Sequence, residues 1–247
     1  MSNRDLGASG FNNGALYDSA RPNYPTEALE YFVSTFRLNV QVRVLDLGAG
    51  TGIFTRQLVP LVGSVTAVDP SASMREALAA SIANVEILEG SDVAIPLEDE
   101  SVDVVFVAQA FHWFDAPRAL VEIRRVLTPN GGLGLIWNER DESIGWVNAL
   151  SKAMQWDVRQ PYDVGSDFTD VLTSGAFRDV ERTTFTHSQS LSREGVRQRV
   201  LTTSYIATMG DGERAALMED VDEVIDQLEE PVTLPYVTTA YSARATD

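Results

Sequence analysis

The sequence contains no cysteine, which removes disulfides, thiolate metal sites and cysteine nucleophiles together. It has two histidines, His112 and His187, too few for a histidine-built metal site, so no resident metal is expected. Basic residues are also scarce: 19 Lys and Arg stand against 36 Asp and Glu, a formal charge of −17. A field of that sign repels phosphate backbones and anionic lipid surfaces, which argues against a nucleic-acid or membrane partner. No apolar run approaches the roughly 20 residues of a membrane span. Residues 1–14 are polar and rich in Gly and Asn, without the basic-then-apolar pattern of a secretion signal. A cytoplasmic protein is expected.

What is present is an alternation of strand and helix patterns within 247 residues that are 44% hydrophobic, enough for one large domain. After the polar start, Tyr17 to Pro25 carries two prolines that bar a helix interior, and Thr26 to Val33 reads as a capped helix. Strands are expected at Val42–Leu47, Ser64–Val68, Asn84–Leu88, Val102–Ala108 and Leu133–Trp137. Helices are expected between them at Thr51–Val62, Ser71–Ile82 and Pro117–Leu127, with a turn at Thr128–Gly132. Strands alternating with helices imply a parallel, doubly wound sheet with sites at the carboxyl ends of the strands. Beyond Asn138 the rhythm changes. Helices are expected over Ser143–Val158, Ser192–Met209 and Gly212–Leu228, and strands over Val180–Thr186 and Val232–Arg244.

The chain turns on Val44-Leu45-Asp46-Leu47-Gly48-Ala49-Gly50-Thr51-Gly52-Ile53-Phe54. There an apolar strand breaks into three alternating glycines that let the backbone approach a ligand. A dinucleotide fingerprint needs its third glycine at position 53, where this sequence has Ile, so the turn is a poor pyrophosphate cradle. Asp69 closes the second strand about 20 residues on, placed to accept ribose hydroxyls. A nucleoside without a diphosphate therefore fits better than NAD.

Asp46 to Gly52 resembles the glycine-rich motif of class I S-adenosylmethionine-dependent methyltransferases. Ala67 to Met74 resembles the ribose-binding segment of that family, Gly90 to Leu97 the adenine loop, and Phe106 to Phe114 the fourth strand and its exit. Leu127 to Gly132 resembles the turn before the fifth strand, and together these cover about residues 40–140. Tyr17 to Pro25, Gln109 to Phe114 and Trp137 to Asp141 are similar to the methyltransferase type 11 group, which includes trans-aconitate methyltransferase-like proteins. The resemblance implies a seven-stranded, mostly parallel Rossmann-like sheet in one domain. Residues 1–35 would be an arm and lid, 40–140 the cofactor core, and 141–247 the substrate-side helices and last strands. It implies S-adenosyl-L-methionine as cofactor and S-adenosyl-L-homocysteine as product. The cofactor would be held by Tyr17, Arg21, Asp46, Gly48, Ala49, Gly50, Asp69, Pro70, Met74, Ser91, Asp92, Val93, Gln109 and Ala110. Arg21 would lie near the methionine carboxylate, where a guanidinium fork suits a carboxylate. Where the family often has an acid directly after the glycine of the adenine loop, this chain has Ser91, and the nearest carboxylate is Asp92.

Methyl transfer is an in-line displacement that asks the protein mainly for alignment, worth roughly 7–11 kcal/mol. A base is required only for an acceptor that is protonated at working pH. His112 is the one histidine near the strand ends, a base or acceptor ligand on one reading and a structural imidazole beside Trp113 on the other. A small-molecule acceptor is expected among Trp113, Trp137, Arg140 and Trp146, with Trp156, Tyr162, Phe168 and Tyr205 as further aromatics. Arg159, Arg193, Arg197 and Arg199 are further cations for an anionic group. His187 is expected at the surface. The leading expectation is methyl transfer to a carboxylate or hydroxyl oxygen; a non-catalytic cofactor-binding domain and an NAD-dependent oxidoreductase are the alternatives. The sequence leaves the oligomeric state open.

Overall fold

Val102-Asp103-Val104-Val105-Phe106-Val107-Ala108 has almost no polar side chain to offer solvent, and such a run is stable only with both faces of its sheet covered. In the computed structural model it lies mid-sheet. The structure describes residues 18, 20–159, 167–173 and 176–246, with Arg159 described by its backbone alone. Tyr17 and Tyr162 lie outside the described residues.

In chain order the elements are α1 (Thr26–Phe36), β1 (Arg43–Leu47), α2 (Ile53–Leu58), β2 (Ser64–Asp69), α3 (Ala72–Ser81), β3 (Glu86–Glu89), β4 (Val102–Ala108), α4 (Ala116–Val126) and β5 (Leu127–Arg140). There follow α5 (Gly145–Ala153), α6 (Trp156–Arg159), α7 (Thr169–Thr173), β6 (Phe177–Leu191), α8 (Arg193–Leu201), α9 (Ser204–Ala207), α10 (Asp211–Ile225) and β7 (Val232–Ala245). The seven strands form one mostly parallel sheet in the order β3-β2-β1-β4-β5-β7-β6. The β1–β2, β2–β3, β1–β4 and β4–β5 pairs are parallel. Strand order reverses between β1 and β4, and the crevice beyond the carboxyl ends at such a switch point is where ligands of open α/β sheets bind.

Period-two alternation sends β1 and β4 side chains to opposite faces. Leu45, Leu47, Val105 and Val107 join α4 through Ile123 and Val126. Val44, Val104 and Phe106 face α1 and α2 through Phe32, Phe36 and Phe54. The second cluster is built edge-to-face: Phe32 and Phe54 meet Phe106 at centroid separations of 5.0 and 5.4 Å. Of the expected arm, residues 26–36 are thus a helix packed on the sheet.

The described residues gather into two compact units. One holds the described residues within 23–138, 166–185 and 238–247; the other holds those within 1–22, 139–165 and 186–237. Strands β5, β6 and β7 contribute residues to both. The second unit has its own core, in which Leu150 and Met154 pack with Val196, Val200, Ile206, Leu217 and Val221.

Several element bounds differ from those expected. Gly52, at φ 84, delays α2, and Pro60, without an N–H, reduces its end to a 3-10 turn over Val59–Leu61. The expected 128–132 turn survives as an irregularity within β5: Val102 pairs Leu127 while Val104 pairs Gly132, and Asn130 bulges at φ 61. The helix expected over 143–158 breaks at Gln155, φ 54. The helix expected over 192–209 breaks at Thr202 and Thr203, hydroxyl residues that favour caps over helix interiors. β6 is twice the expected length, a polar alternating strand at the sheet edge.

Candidate active site

The glycine turn closes β1 by reaching across to β2: Gly48 N–H and Ala49 N–H both donate to the Val68 carbonyl, at 2.8 and 3.2 Å. Gly48 and Gly50 have φ of 73° and 57°, the left-handed region that a side chain disfavours. A Cβ at Gly48 would lie 2.7 Å from Cβ of Ala110, so β1 and the segment leaving β4 approach as closely as backbone allows. A Cβ at Gly50 would meet nothing within 4 Å. Gly50 therefore faces open space at the switch point.

Two carboxylates support this turn. Asp69 is 8% exposed, and its two oxygens accept from the backbone N–H of Gly50 (2.9 Å) and of Ser71 (2.8 Å). Burial raises its pKa, opposed by these two N–H groups and by Arg75, whose guanidinium donates to the Asp69 carbonyl at 2.8 Å. A carboxylate has about four lone-pair sites, so Asp69 keeps acceptor capacity for hydroxyls. Asp46 is fully buried; Thr55 Oγ1 donates to one of its oxygens at 2.6 Å, and the other oxygen has no hydrogen-bond partner among the described residues. Burial, reinforced by the negative charge of Asp69, pushes the Asp46 pKa up to about 7. Thr55 escapes a motif reading, although its place in the first turn of α2, under the glycines, is the positional signal.

Leaving β4, Gln109 holds φ 58, an uncommon backbone for a residue with a side chain. Its N–H donates to the Ile136 carbonyl and its side-chain amide to the Asn138 carbonyl, both at 2.9 Å. Ala110 lies against Gly48, and a 3-10 turn over Phe111–Trp113 follows. The indole N–H of Trp137 donates to His112 Nδ1 at 3.2 Å. That bond makes Nδ1 the acceptor and places the hydrogen of the neutral ring on Nε2. Burial lowers the His112 pKa to about 3. His112 is thus a neutral imidazole with its lone-pair nitrogen engaged by Trp137, poorly suited to act as a base near neutral pH.

The remaining candidates divide. Trp137 is 5% exposed and stacked on Phe168 at 4.8 Å, so it belongs to the core and bears on a ligand only through His112; Trp113 is partly exposed, with its ring 4.8 Å from His112. In the adenine-loop candidate, Ser91 and Ala94 form a short bridge, Val93 sits at its turn, and Asp92 accepts from Asp115 N–H at 2.9 Å. The Asp92 carboxylate thereby ties this loop to the start of α4. Pro70 is exposed after β2 and Met74 is buried on α3.

Arg21, Arg140 and Trp146 lie in the second unit. Arg21 donates to the Thr202 carbonyl at 2.8 Å. Arg140 lies 4.7 Å over the Trp156 ring, and Trp156 contacts Tyr205. Trp146 packs against the helical core beside Leu150. His187, expected at the surface, is partly buried on β6 with its ring stacked on Tyr236 at 5.3 Å, because its place in the alternation of β6 turns it inward.

A family model described as a methyltransferase domain matches residues 45–135. An uncharacterized methyltransferase of Mycobacterium tuberculosis is 36% identical over 248 residues, covering 98% of each chain. A malonyl-(acyl-carrier protein) O-methyltransferase of Pectobacterium atrosepticum is 40% identical over 91 residues, 36% of each chain. Among solved structures, a phosphoethanolamine N-methyltransferase of Haemonchus contortus, in complex with S-adenosylhomocysteine, aligns with a TM-score of 0.63 at 17% identity, over all of this chain and 61% of that one. No helix among the described residues is long and apolar enough to cross a membrane. The match along nearly the whole length, on a sheet of this strand order with a glycine turn at its switch point, places the chain in the class I S-adenosylmethionine-dependent methyltransferase family.

Proposed function

We propose that the protein binds S-adenosyl-L-methionine at the β1–β4 crevice and methylates an oxygen, a carboxylate or a hydroxyl, of a small-molecule acceptor. The observation that carries the cofactor reading is the open face of Gly50 beside two buried carboxylates, one of which keeps an oxygen without a partner. A cationic amino acid attached to a nucleoside fits that set. Asp69 supplies the acceptor for ribose hydroxyls, Gly48 to Gly50 allow close approach, and Asp46 supplies negative charge under the turn. When bound, the cofactor supplies a methyl group on a sulfonium, activated for in-line displacement.

The chain's own share is alignment and exclusion of water. His112, at the exit of β4, has its Nδ1 lone pair taken by Trp137 and supplies no proton acceptor at neutral pH. An acceptor already ionised, such as a carboxylate, needs none. The O-methyltransferase named among the relatives supports oxygen as the acceptor atom. Titration calorimetry with S-adenosylmethionine, S-adenosylhomocysteine and NAD tests the first half. Tight binding of NAD with neither adenosyl ligand bound would overturn it. A screen of carboxylic acids, phenols and amines with labelled cofactor, read by mass shift, tests the second; methylated amines alone would refute an oxygen acceptor.

A further inference from the structure

Arginine side chains are almost never buried without a counter-charge, because an uncompensated ion away from water is expensive. Among the described residues of the second unit Arg199 is such a case, and the partly buried Arg140 lies within its electrostatic range. Arg199, on the last turn of α8, is 6% exposed, and its Nε and one terminal nitrogen are buried with no hydrogen-bond partner. Arg140, at the end of β5, has a buried Nε without a hydrogen-bond partner among the described residues, and its side-chain hydrogen bond to Ser151 Oγ is long, 3.4 Å. The two lie close enough to feel each other: burial and then the charge of Arg199 pull the Arg140 pKa down to about 10. Glu142 acts on Arg140 only at a distance, with no ion pair between them among the described residues; the Trp156 ring, under the guanidinium at 4.7 Å, and the phenols of Tyr205 and Tyr236 are near it and carry no full negative charge. The hydroxyl of Thr203, four residues beyond Arg199, is also buried without a partner.

The two other arginines of α8 are satisfied. Arg197 pairs with Asp222 at 2.8 Å, and Arg193 donates to the Leu228 carbonyl at 2.7 Å. Arg199 is thus the exception on its own helix. We propose that Arg140 and Arg199 form a binding site for a small, doubly charged oxyanion, a dicarboxylate or a phosphomonoester, whose two negative charges and several lone pairs match two guanidinium groups. A methyl acceptor carrying such a group is the natural occupant, and that assignment rests on the small-molecule reading above; the binding itself does not.

The test uses the full chain and three anions: inorganic phosphate, malonate, and acetate as the singly charged control. Phosphate or malonate should raise the melting temperature progressively with concentration, at constant ionic strength, while acetate does little. Which of the two protects more distinguishes the phosphomonoester from the dicarboxylate. Arg199→Met keeps the apolar stem and removes the charge. Without ligand it should melt about 2–4 °C or more above the wild type, because a buried unpaired charge is relieved, and dianion protection should vanish. Arg199→Lys should retain part of the protection, and Arg197→Met should retain all of it. Equal response of the wild type to dianions and acetate, or undiminished protection in Arg199→Met, would overturn the site. So would an Arg199→Met protein that melts lower or fails to fold. Dianion protection with no methylated acid in the acceptor screen would leave the site standing and refute the acceptor reading. Methylation of an uncharged acceptor with no dianion protection would do the reverse.

Discussion

Asp46 offers a test of the cofactor site that needs no acceptor. In the ligand-free protein its carboxyl is fully buried, with one oxygen unpartnered and a pKa near 7. A cationic ligand at the glycine turn favours the ionised form, so binding should draw the proton off. If the bound-state pKa falls to the ordinary carboxylate range, apparent affinity is close to maximal at pH 8. It should be about tenfold weaker at pH 6 and approach a hundredfold weaker at pH 5, since each pH unit below the free-state pKa corresponds to about 1.4 kcal/mol. Calorimetry at pH 6 in buffers of different ionisation heat should show release of roughly one proton per cofactor, shrinking to about a tenth at pH 8. Asp46→Asn should flatten this dependence. The same group acts on stability with a definite sign. Its carboxyl titrates near 3.8 when unfolded and near 7 when folded, so its stabilising contribution is full below about 4 and is lost as pH rises through 7. The loss is on the order of 4 kcal/mol. Proton-neutral binding at pH 6, with affinity equal at pH 6 and 8, would refute the coupling and with it the placement of the cation beside Asp46.

Three further outcomes follow from the same geometry. Gly50→Ala introduces a Cβ at φ 57, costing roughly 1–2 kcal/mol of stability and weakening cofactor binding beyond that; Gly145→Ala, also facing open space but in a helix, should leave binding unchanged, and equal behaviour of the two would sink the cradle. Nitrogen NMR should find His112 neutral with its hydrogen on Nε2 down to pH 5, and His112→Gln should leave the pH profile of kcat/KM unmoved; loss of an acid limb would restore the base role. Asp69→Ala should weaken cofactor binding by about 1–3 kcal/mol by removing a charge-assisted acceptor, whereas an unchanged affinity would mean the ribose lies elsewhere.

The parallel half of the fold was legible because its signals are local. An apolar run such as Val102–Ala108 can hardly be anything but a buried strand, and Gly48 to Gly52 announce backbone that must turn where side chains do not fit. Element ends were less legible, since Gln155 enters the left-handed region with no glycine or asparagine to signal it. The sequence left His112 between a base and a structural imidazole and gave no sign of its bond with Trp137. Whether a histidine is a base depends on what occupies its second nitrogen, and Trp137 reaches His112 from a neighbouring strand 25 positions away. Asp46 showed in the motif, but its raised pKa required knowing that Thr55 partners only one oxygen and that Asp69 lies within electrostatic range.

Arg199 was among the cations the sequence marked for an anionic group but could not be singled out, for the opposite reason: the sequence offers too many equivalents. In a chain with 19 basic residues against 36 acidic ones, any single arginine has an acid to pair with, and a solvated ion pair is the ordinary outcome, as Arg197 with Asp222 shows. Only the fold separates Arg199 from its neighbours two positions away, because the helical turn that sends Arg197 toward α10 sends Arg199 inward. The same net charge of −17 makes the pair more informative. Long-range repulsion would keep anions from a site built of exposed cations, and salt would screen what attraction remained. A buried Arg199 with a partly buried Arg140 beside it acts at short range in a lower dielectric than water, where attraction to a dianion is less screened and discrimination against a single charge is greater. An acidic protein that must select an anion is therefore better served by a few buried arginines than by a basic surface.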